Sequence, residues 1–279
     1  MKSGLPKMSA PNAQPHKETT LQQARRKKLK KRIQEFDAQW HQLYDLCNDQ
    51  ESRTRLAELR EQFERQKRGV SEPAQAEVEV AFSLRKAGFS IAFLQESDAR
   101  TADLECWLDT DRLFVEITAI IPNPSARRLG RPGPGLDSAD AFPEGDIRQE
   151  AFVRRLLARM AEKSRQLSRY CAPVLLAVTI PKDELLEGGP VIEEKLDLQR
   201  VAGMLTTTLA GIPQLSGVLL TCWNVPAEVS RSNVRLSQTH WVTRSGADVA
   251  LPRIRLLVVN DFATYALNNR EVQALKSTL

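Results

Sequence analysis

Long apolar runs are missing from this chain of 279 residues. No stretch approaches the roughly 18 consecutive apolar residues that a membrane-spanning helix needs, so we expect no membrane partner. The first 20 residues also lack the apolar segment of a secretory signal. The sequence therefore predicts a soluble protein of a reducing compartment, the cytoplasm.

Cysteine and histidine are scarce. The four cysteines are widely separated and form no CxxC pair, which argues against a zinc ribbon and against a disulfide scaffold. The three histidines are too few and too far apart for a histidine-rich metal site. Any metal bound by this chain would be a hard cation held by carboxylate oxygens.

Proline and glycine are absent from residues 21–68, where apolar residues recur at helical spacings. Residues 1–20 are predicted to be a disordered tail, and residues 21–69 a basic, amphipathic helical arm. The arm is one helix, or an antiparallel pair broken near Asn48-Asp49. Three roles are open for it: covering the core, forming a homodimer as a coiled coil, or carrying basic residues along a groove.

The positive charge is concentrated near the N-terminus. Residues 1–70 contain 16 Lys and Arg against 9 Asp and Glu, whereas residues 71–279 contain 24 against 26. Such a basic block favours a polyanion as partner, so we predict nucleic acid, with DNA favoured; a solvated basic tail is the alternative. The block consists of Arg25, Arg26, Lys27, Lys28, Lys30, Lys31 and Arg32.

Residues 70–279 are predicted to form the folded core. Strands are expected at 89–95, 102–108, 112–120, 174–180, 217–223 and 253–259, and helices at 71–87, 147–169 and 195–210. Because helices alternate with strands, the predicted class is α/β, with a mixed central sheet flanked by helices. Residues 121–146 contain five prolines and four glycines and are predicted to be a loop.

Two acidic residues in neighbouring strands suggest chemistry. If Asp109-Thr110 is a two-residue hairpin turn, Asp103 lies directly opposite Glu116, on the face that also carries Phe114 and Thr118. Carboxylates about 5 Å apart repel each other unless a proton or a cation lies between them. Mg²⁺ is held in this way, by one or two protein carboxylates together with water and phosphate oxygens.

The helix before these strands offers a third acid. Glu77 shares its row with Val80, Ala81 and Leu84, so it is predicted to face the core. Glu79 lies on a more mixed row and is the less favoured alternative.

Taken in order, the segments with Glu77 and Gly88-Phe89, then Ala102-Asp103, then Glu116-Ile117-Thr118 resemble the PD-(D/E)XK nuclease superfamily, which includes restriction enzymes and Holliday-junction resolvases. The resemblance covers roughly residues 72–180. It implies a restriction-endonuclease-like core of helix, three-stranded meander, helix and strand. It also implies phosphodiester hydrolysis with Mg²⁺ or Mn²⁺, with Asp103 and Glu116 as metal ligands and Glu77 as an auxiliary ligand.

The sequence departs from the superfamily pattern at Thr118, where a lysine is usual. Lys163, in the following helix, is the best substitute, because a lysine from this helix is a variation within the superfamily. Gln166 and Tyr170 resemble the QxxxY motif of the RecB-like branch and would support the site. Three arginines in the 121–146 loop could clamp phosphates: Arg127, Arg128 and Arg131.

Three functions compete at this point. The first is a metal-dependent DNA nuclease whose basic arm holds the substrate. The second is a catalytically inactive module of the same fold that binds nucleic acid or a protein, which Thr118 favours. The third is a coiled-coil interaction protein without a nucleic-acid partner. Residues 225–250 support no prediction.

Overall fold

The computed structural model of the chain describes residues 20–65, 70–95, 102–120, 147–180, 197–222, 233–235, 240–245 and 253–279. These residues form an α/β fold in which helices cover both faces of a mixed sheet, so the predicted class is confirmed. Within the same ranges, no helix is long and apolar enough to cross a membrane.

The described residues form six helices and eight strands. The helices are α1 Thr20–Leu46, α2 Gln50–Glu64, α3 Ser71–Lys86, α4 Ile147–Gln166, α5 Leu198–Ala210 and α6 Asn269–Ser277. The strands are β1 Ser90–Phe93, β2 Leu104–Leu108, β3 Asp111–Ala119, β4 Val174–Ile180, β5 Gly217–Cys222, β6 Asn233–Arg235, β7 His240–Ser245 and β8 Arg253–Val259.

The strands lie in the order β1-β2-β3-β4-β5-β8-β7-β6. The first three form an antiparallel meander, and β3, β4 and β5 run parallel to one another. The remaining pairs, β5 with β8, β8 with β7 and β7 with β6, are antiparallel. All seven residues of β4 are buried, as expected for a central strand with helices on both faces.

The sheet separates two hydrophobic cores. One core contains side chains of α4 and α5, including Leu156 and Leu205, with alternate residues of the central strands. The other contains side chains of α1, α2, α3 and α6 with the intervening residues of the same strands. On β3, Phe114 lies in the first core and Val115 in the second, so the predicted alternation along this strand is confirmed.

The N-terminal helical segment is a pair of helices, as one of the two predicted arrangements has it. Helix α1 ends at Leu46. The Asp49 side chain then caps α2 by accepting a hydrogen bond from the Ser52 N–H at 2.7 Å. The Phe36 and Phe63 rings stack with their centroids 3.8 Å apart, and both are buried in the core of α3 and the sheet. From residue 32 onward the buried side chains of these helices therefore cover this chain's own core, which is one of the three predicted roles; dimerisation stays a prediction.

Several stretches differ from the sequence-based expectations, among them helix α6 Asn269–Ser277, which the sequence analysis did not predict. Strands β6 and β7 lie within residues 225–250, for which the sequence supported no prediction. Their Asn, Arg, Ser and Thr residues give a weak strand pattern. These strands form because β7 pairs with β8 and β6 pairs with β7. Helix α4 ends at Gln166, three residues before the predicted end. The predicted tail at 1–20, apart from Thr20, and the predicted loop at 121–146 lie outside the described residues.

Candidate functional site

The β2–β3 hairpin sets the geometry of the site. Asp109 and Thr110 form the predicted two-residue turn, and Leu108 pairs with Asp111 on either side of it. Asp109 has φ of 55°, in the left-handed region that such turns require and that aspartate tolerates better than most residues. The ladder continues from this turn to the pair of Leu104 with Val115, so the hairpin prediction is confirmed.

Asp103 lies just beyond the paired part of the hairpin. Its own N–H donates to the Val115 carbonyl at 3.1 Å, and its Oδ2 accepts the Ile117 N–H at 2.6 Å. A side-chain oxygen of Asp103 thus serves as the acceptor for a main-chain N–H of β3. The paired part of the hairpin ends at Leu104 and Val115, one pair before Asp103 and Glu116, so the direct opposition of these two acids stays a prediction.

Glu116 lies on the face of the sheet covered by α4. It is 3% exposed, and its Oε1 accepts a hydrogen bond from the Lys163 Nζ of α4. Met160, one helical turn before Lys163, is fully buried in the core of this face, which fixes the helix against the sheet. The structure therefore brings the predicted lysine to one of the two predicted acids.

Glu77 lies on the other face of the sheet, on α3. Its two carboxylate oxygens accept hydrogen bonds from the Arg55 guanidinium of α2, Oε1 from Nε at 3.1 Å and Oε2 from Nη2 at 2.9 Å. The alternative acid, Glu79, lies next to β8, where its carboxylate is 3.5 Å from Arg253 and 3.7 Å from Arg255. Of the two, Glu77 is the one whose charge reaches Asp103.

Asp103 is within electrostatic reach of both ion pairs, that of Glu77 with Arg55 and that of Glu116 with Lys163. Burial holds the pKa of its carboxyl well above the ordinary value, and the negative charges of Glu77 and then Glu116 raise it further. The Ile117 N–H and the Lys163 ammonium act in the opposite direction. Three acids and two bases therefore meet around this strand end, and the excess of negative charge favours a proton or a cation at Asp103.

The predicted metal ligands are the carboxylates of Asp103, Glu116 and Glu77. Among the described residues, no three Asp, Glu, His or Cys side chains are grouped so that they could hold a metal ion. Arg55 engages both carboxylate oxygens of Glu77. Asp103 and Glu116, whose charges interact, carry hard oxygen donors of the kind that Mg²⁺ or Mn²⁺ prefers.

Comparison with protein-family models, with curated proteins and with solved structures found no match to this chain.

The predicted supporting residues lie around the same strand end. The Tyr170 hydroxyl accepts the Ala102 N–H at 2.7 Å, and its ring packs on Phe114 with centroids 4.1 Å apart. Tyr170 thus holds the segment that enters Asp103. Gln166 is half-buried at the end of α4, and Thr118 is half-buried two residues after Glu116 on β3.

The predicted nucleic-acid contacts divide into three groups. Arg26, Lys27, Lys30 and Lys31 are exposed on α1. Arg32 was placed wrongly on this surface: it is 4% exposed, donates to Gln75 Oε1 at 2.6 Å and lies over the Phe63 ring at 5.2 Å. The side chains of Arg25, Lys28, Arg127, Arg128 and Arg131 lie outside the described part of the structure.

Sequence reasoning missed Arg55. It is 4% exposed and lies in the buried row of α2 that also contains Ser52, Leu56 and Leu59. An arginine inside an apolar helical row is a signal that a carboxylate lies opposite, since a buried charge needs a partner. The sequence does not identify that partner, which is 22 residues away.

Proposed function

We propose that this protein is a Mg²⁺-dependent nuclease that hydrolyses phosphodiester bonds in nucleic acid, with DNA the favoured substrate. The observation that carries the proposal is the contact of Lys163 with Glu116 beside Asp103. Glu116 of β3 and Lys163 of α4 form this contact, and Asp103 directly precedes β2. These are the residue types that metal-assisted phosphodiester hydrolysis needs.

Each side chain has a distinct role in this proposal. A divalent ion, when bound, would polarise the scissile phosphate and lower the pKa of a water molecule. Asp103 and Glu116 would hold that ion. Lys163 would place positive charge next to the attacking water and the phosphate, in the role that the resemblance assigns to a lysine at position 118. Tyr170 would keep the Asp103 segment in place through Ala102.

The order of the elements supports the proposal. Helix α3, the meander β1-β2-β3, helix α4 and strand β4 follow one another with β3 and β4 parallel. The same order is implied by the PD-(D/E)XK resemblance. The exposed Arg26, Lys27, Lys30 and Lys31 of α1 support a polyanionic substrate, because they would release counterions from its phosphates.

A cleavage assay tests the proposal. Wild type is incubated with single-stranded, duplex and branched DNA and with RNA, in Mg²⁺ and in Mn²⁺. We expect cleavage that is lost in Asp103→Ala and in Glu116→Ala and kept in Asp111→Ala, which removes an acid from the hairpin outside the site. If neither metal supports cleavage of any of these substrates, the chain is not the proposed nuclease.

A second candidate is a catalytically inactive module of the same fold that binds nucleic acid. Two observations favour it: Thr118 replaces the usual lysine, and Arg55 engages the third acid. This candidate predicts DNA binding without cleavage. Its affinity should fall steeply with salt, and the salt dependence should weaken in Lys27→Gln/Lys30→Gln/Lys31→Gln.

A further inference from the structure

Arg55 connects the N-terminal helices to the acidic strand end. It forms a bidentate ion pair with Glu77, in which the Arg55 Nε and Nη2 each donate a hydrogen bond to one carboxylate oxygen. The Arg55 and Glu77 side chains are only 4% and 8% exposed. Arginine is suited to such a contact because its planar fork matches a carboxylate, which the point charge of lysine does not.

The position of Arg55 is fixed by contacts on both sides of it along α2. One turn earlier, the Ser52 Oγ accepts the Phe93 N–H of β1 at 2.8 Å. One residue later, the Leu56 carbonyl accepts the Trp40 Nε1–H of α1 at 2.7 Å. The guanidinium therefore reaches Glu77 from a helix that is anchored to the sheet and to α1.

The ion pair also decides which acids are available to a cation. Glu116 meets a base that is 21% exposed and ends a flexible side chain, so solvent can reach the Lys163 side of that pair. Glu77 meets a base that is buried and held by two hydrogen bonds. The two acids that flank Asp103 thus differ in how readily they could turn toward an ion.

We propose that Arg55 is a positioning residue that withdraws Glu77 from the ligand set, so that the divalent ion is held by Asp103 and Glu116 alone. This inference rests on the proposed function, because it concerns the same acidic strand end. In this proposal α2 contributes to the site through the Arg55 guanidinium, which neutralises the charge of Glu77.

Calorimetric titration with Mn²⁺ tests this role without any nucleic acid. Removing the guanidinium in Arg55→Gln leaves the charge of Glu77 acting on the ion. We therefore expect Mn²⁺ to bind more tightly than in wild type, by about tenfold, given the strength of Coulomb attraction near a protein surface. In Arg55→Gln/Glu77→Gln the gain should disappear, because it passes through Glu77.

The control is Arg65→Gln, which removes the same charge from an exposed position at the end of α2. This variant should bind Mn²⁺ as wild type does. A merely structural role for Arg55 would weaken Mn²⁺ binding or leave it unchanged, and either result in Arg55→Gln overturns the proposal. A gain that persists in the double variant also overturns it.

Folding is followed by circular dichroism in each variant. If Arg55→Gln does not fold, Arg55→Lys is used, since it keeps the positive charge but loses the bidentate geometry of the guanidinium. A smaller gain in Mn²⁺ affinity in Arg55→Lys supports the proposal, and no gain contradicts it. Failure of the proposed function has a different signature: wild type and Asp103→Asn would then bind Mn²⁺ equally. Mn²⁺ binding by neither wild type nor Arg55→Gln would overturn both claims.

Discussion

The surroundings of Asp103 oppose the ionisation of its carboxyl group. Its half-buried carboxylate accepts the Ile117 N–H, but it does so near two other acids. Both conditions disfavour the ionised form, so the side chain weakens the fold at neutral pH unless a cation is present. Such a conflict is typical of functional sites, where stability is lower than it could be.

Asp103→Asn should stabilise the protein, with a gain that depends on pH. The folded-state pKa of Asp103 is raised, so its contribution to stability is present at low pH and is lost as pH rises through that folded pKa. The variant should therefore match wild type near pH 3 and exceed it at pH 7 by about 1 kcal/mol. Urea unfolding in metal-free buffer across this range measures the difference. A constant difference, or a loss at pH 7, would refute the account of Asp103.

Lys163→Met should destabilise the fold, because Glu116 is 3% exposed and would lose its lysine. We expect a loss of about 2 kcal/mol, below the value for a fully buried pair because Lys163 is 21% exposed. The matched control is Arg159→Met on the same helix. Its ion pair with Glu162 is about half exposed, so the loss should stay within about 0.5 kcal/mol. Equal losses in both variants would contradict the role of Lys163.

At the scale of single elements, Tyr170 links the end of α4 to the start of β2. Tyr170→Phe keeps the ring on Phe114 but removes the acceptor of the buried Ala102 N–H. The free energy of unfolding should fall by about 1–2 kcal/mol. Hydrogen exchange at the Ala102 amide should become faster, and an unchanged exchange rate would show that the hydroxyl does not hold this segment.

The hairpin shows what the sequence can predict and where prediction ends. The Asp109-Thr110 turn and the alternation along β3 are local, and both follow from residue type and a period of two. The hydrogen bond from the Ile117 N–H to the Asp103 side chain cannot be predicted from the sequence, because a side-chain acceptor leaves no periodic pattern. The Arg55 partner is likewise hidden, since a contact across 22 residues depends on how two helices pack.

At the scale of the whole molecule, the first two helices belong to the fold. Six of their apolar side chains are buried with α3 and the sheet: Phe36, Trp40, Leu43, Leu56, Leu59 and Phe63. Burial of each contributes about 1.5–3 kcal/mol, so together they match the whole stability of an ordinary domain. The sequence predicted the helices from their periodicity but left open which surface they would cover.

Two truncations separate the structural part of this segment from its charged part. Removing residues 1–69 should leave an apolar face of α3 exposed and give a chain that aggregates or binds a hydrophobic dye. Removing residues 1–31 keeps the six buried side chains and should leave the fold intact while weakening DNA binding at low salt. Size-exclusion chromatography and fluorescence anisotropy measure both effects. A stable, monomeric chain without residues 1–69 would contradict the shared core.

The central claim is that Asp103 and Glu116 hold a divalent ion next to Lys163. The most direct measurement is an anomalous difference map from crystals of the full chain grown with Mn²⁺. The account predicts one peak between the carboxylates of Asp103 and Glu116, with Glu77 still paired to Arg55. A map without a peak at this strand end, or with a peak bound only elsewhere on the protein, would contradict it.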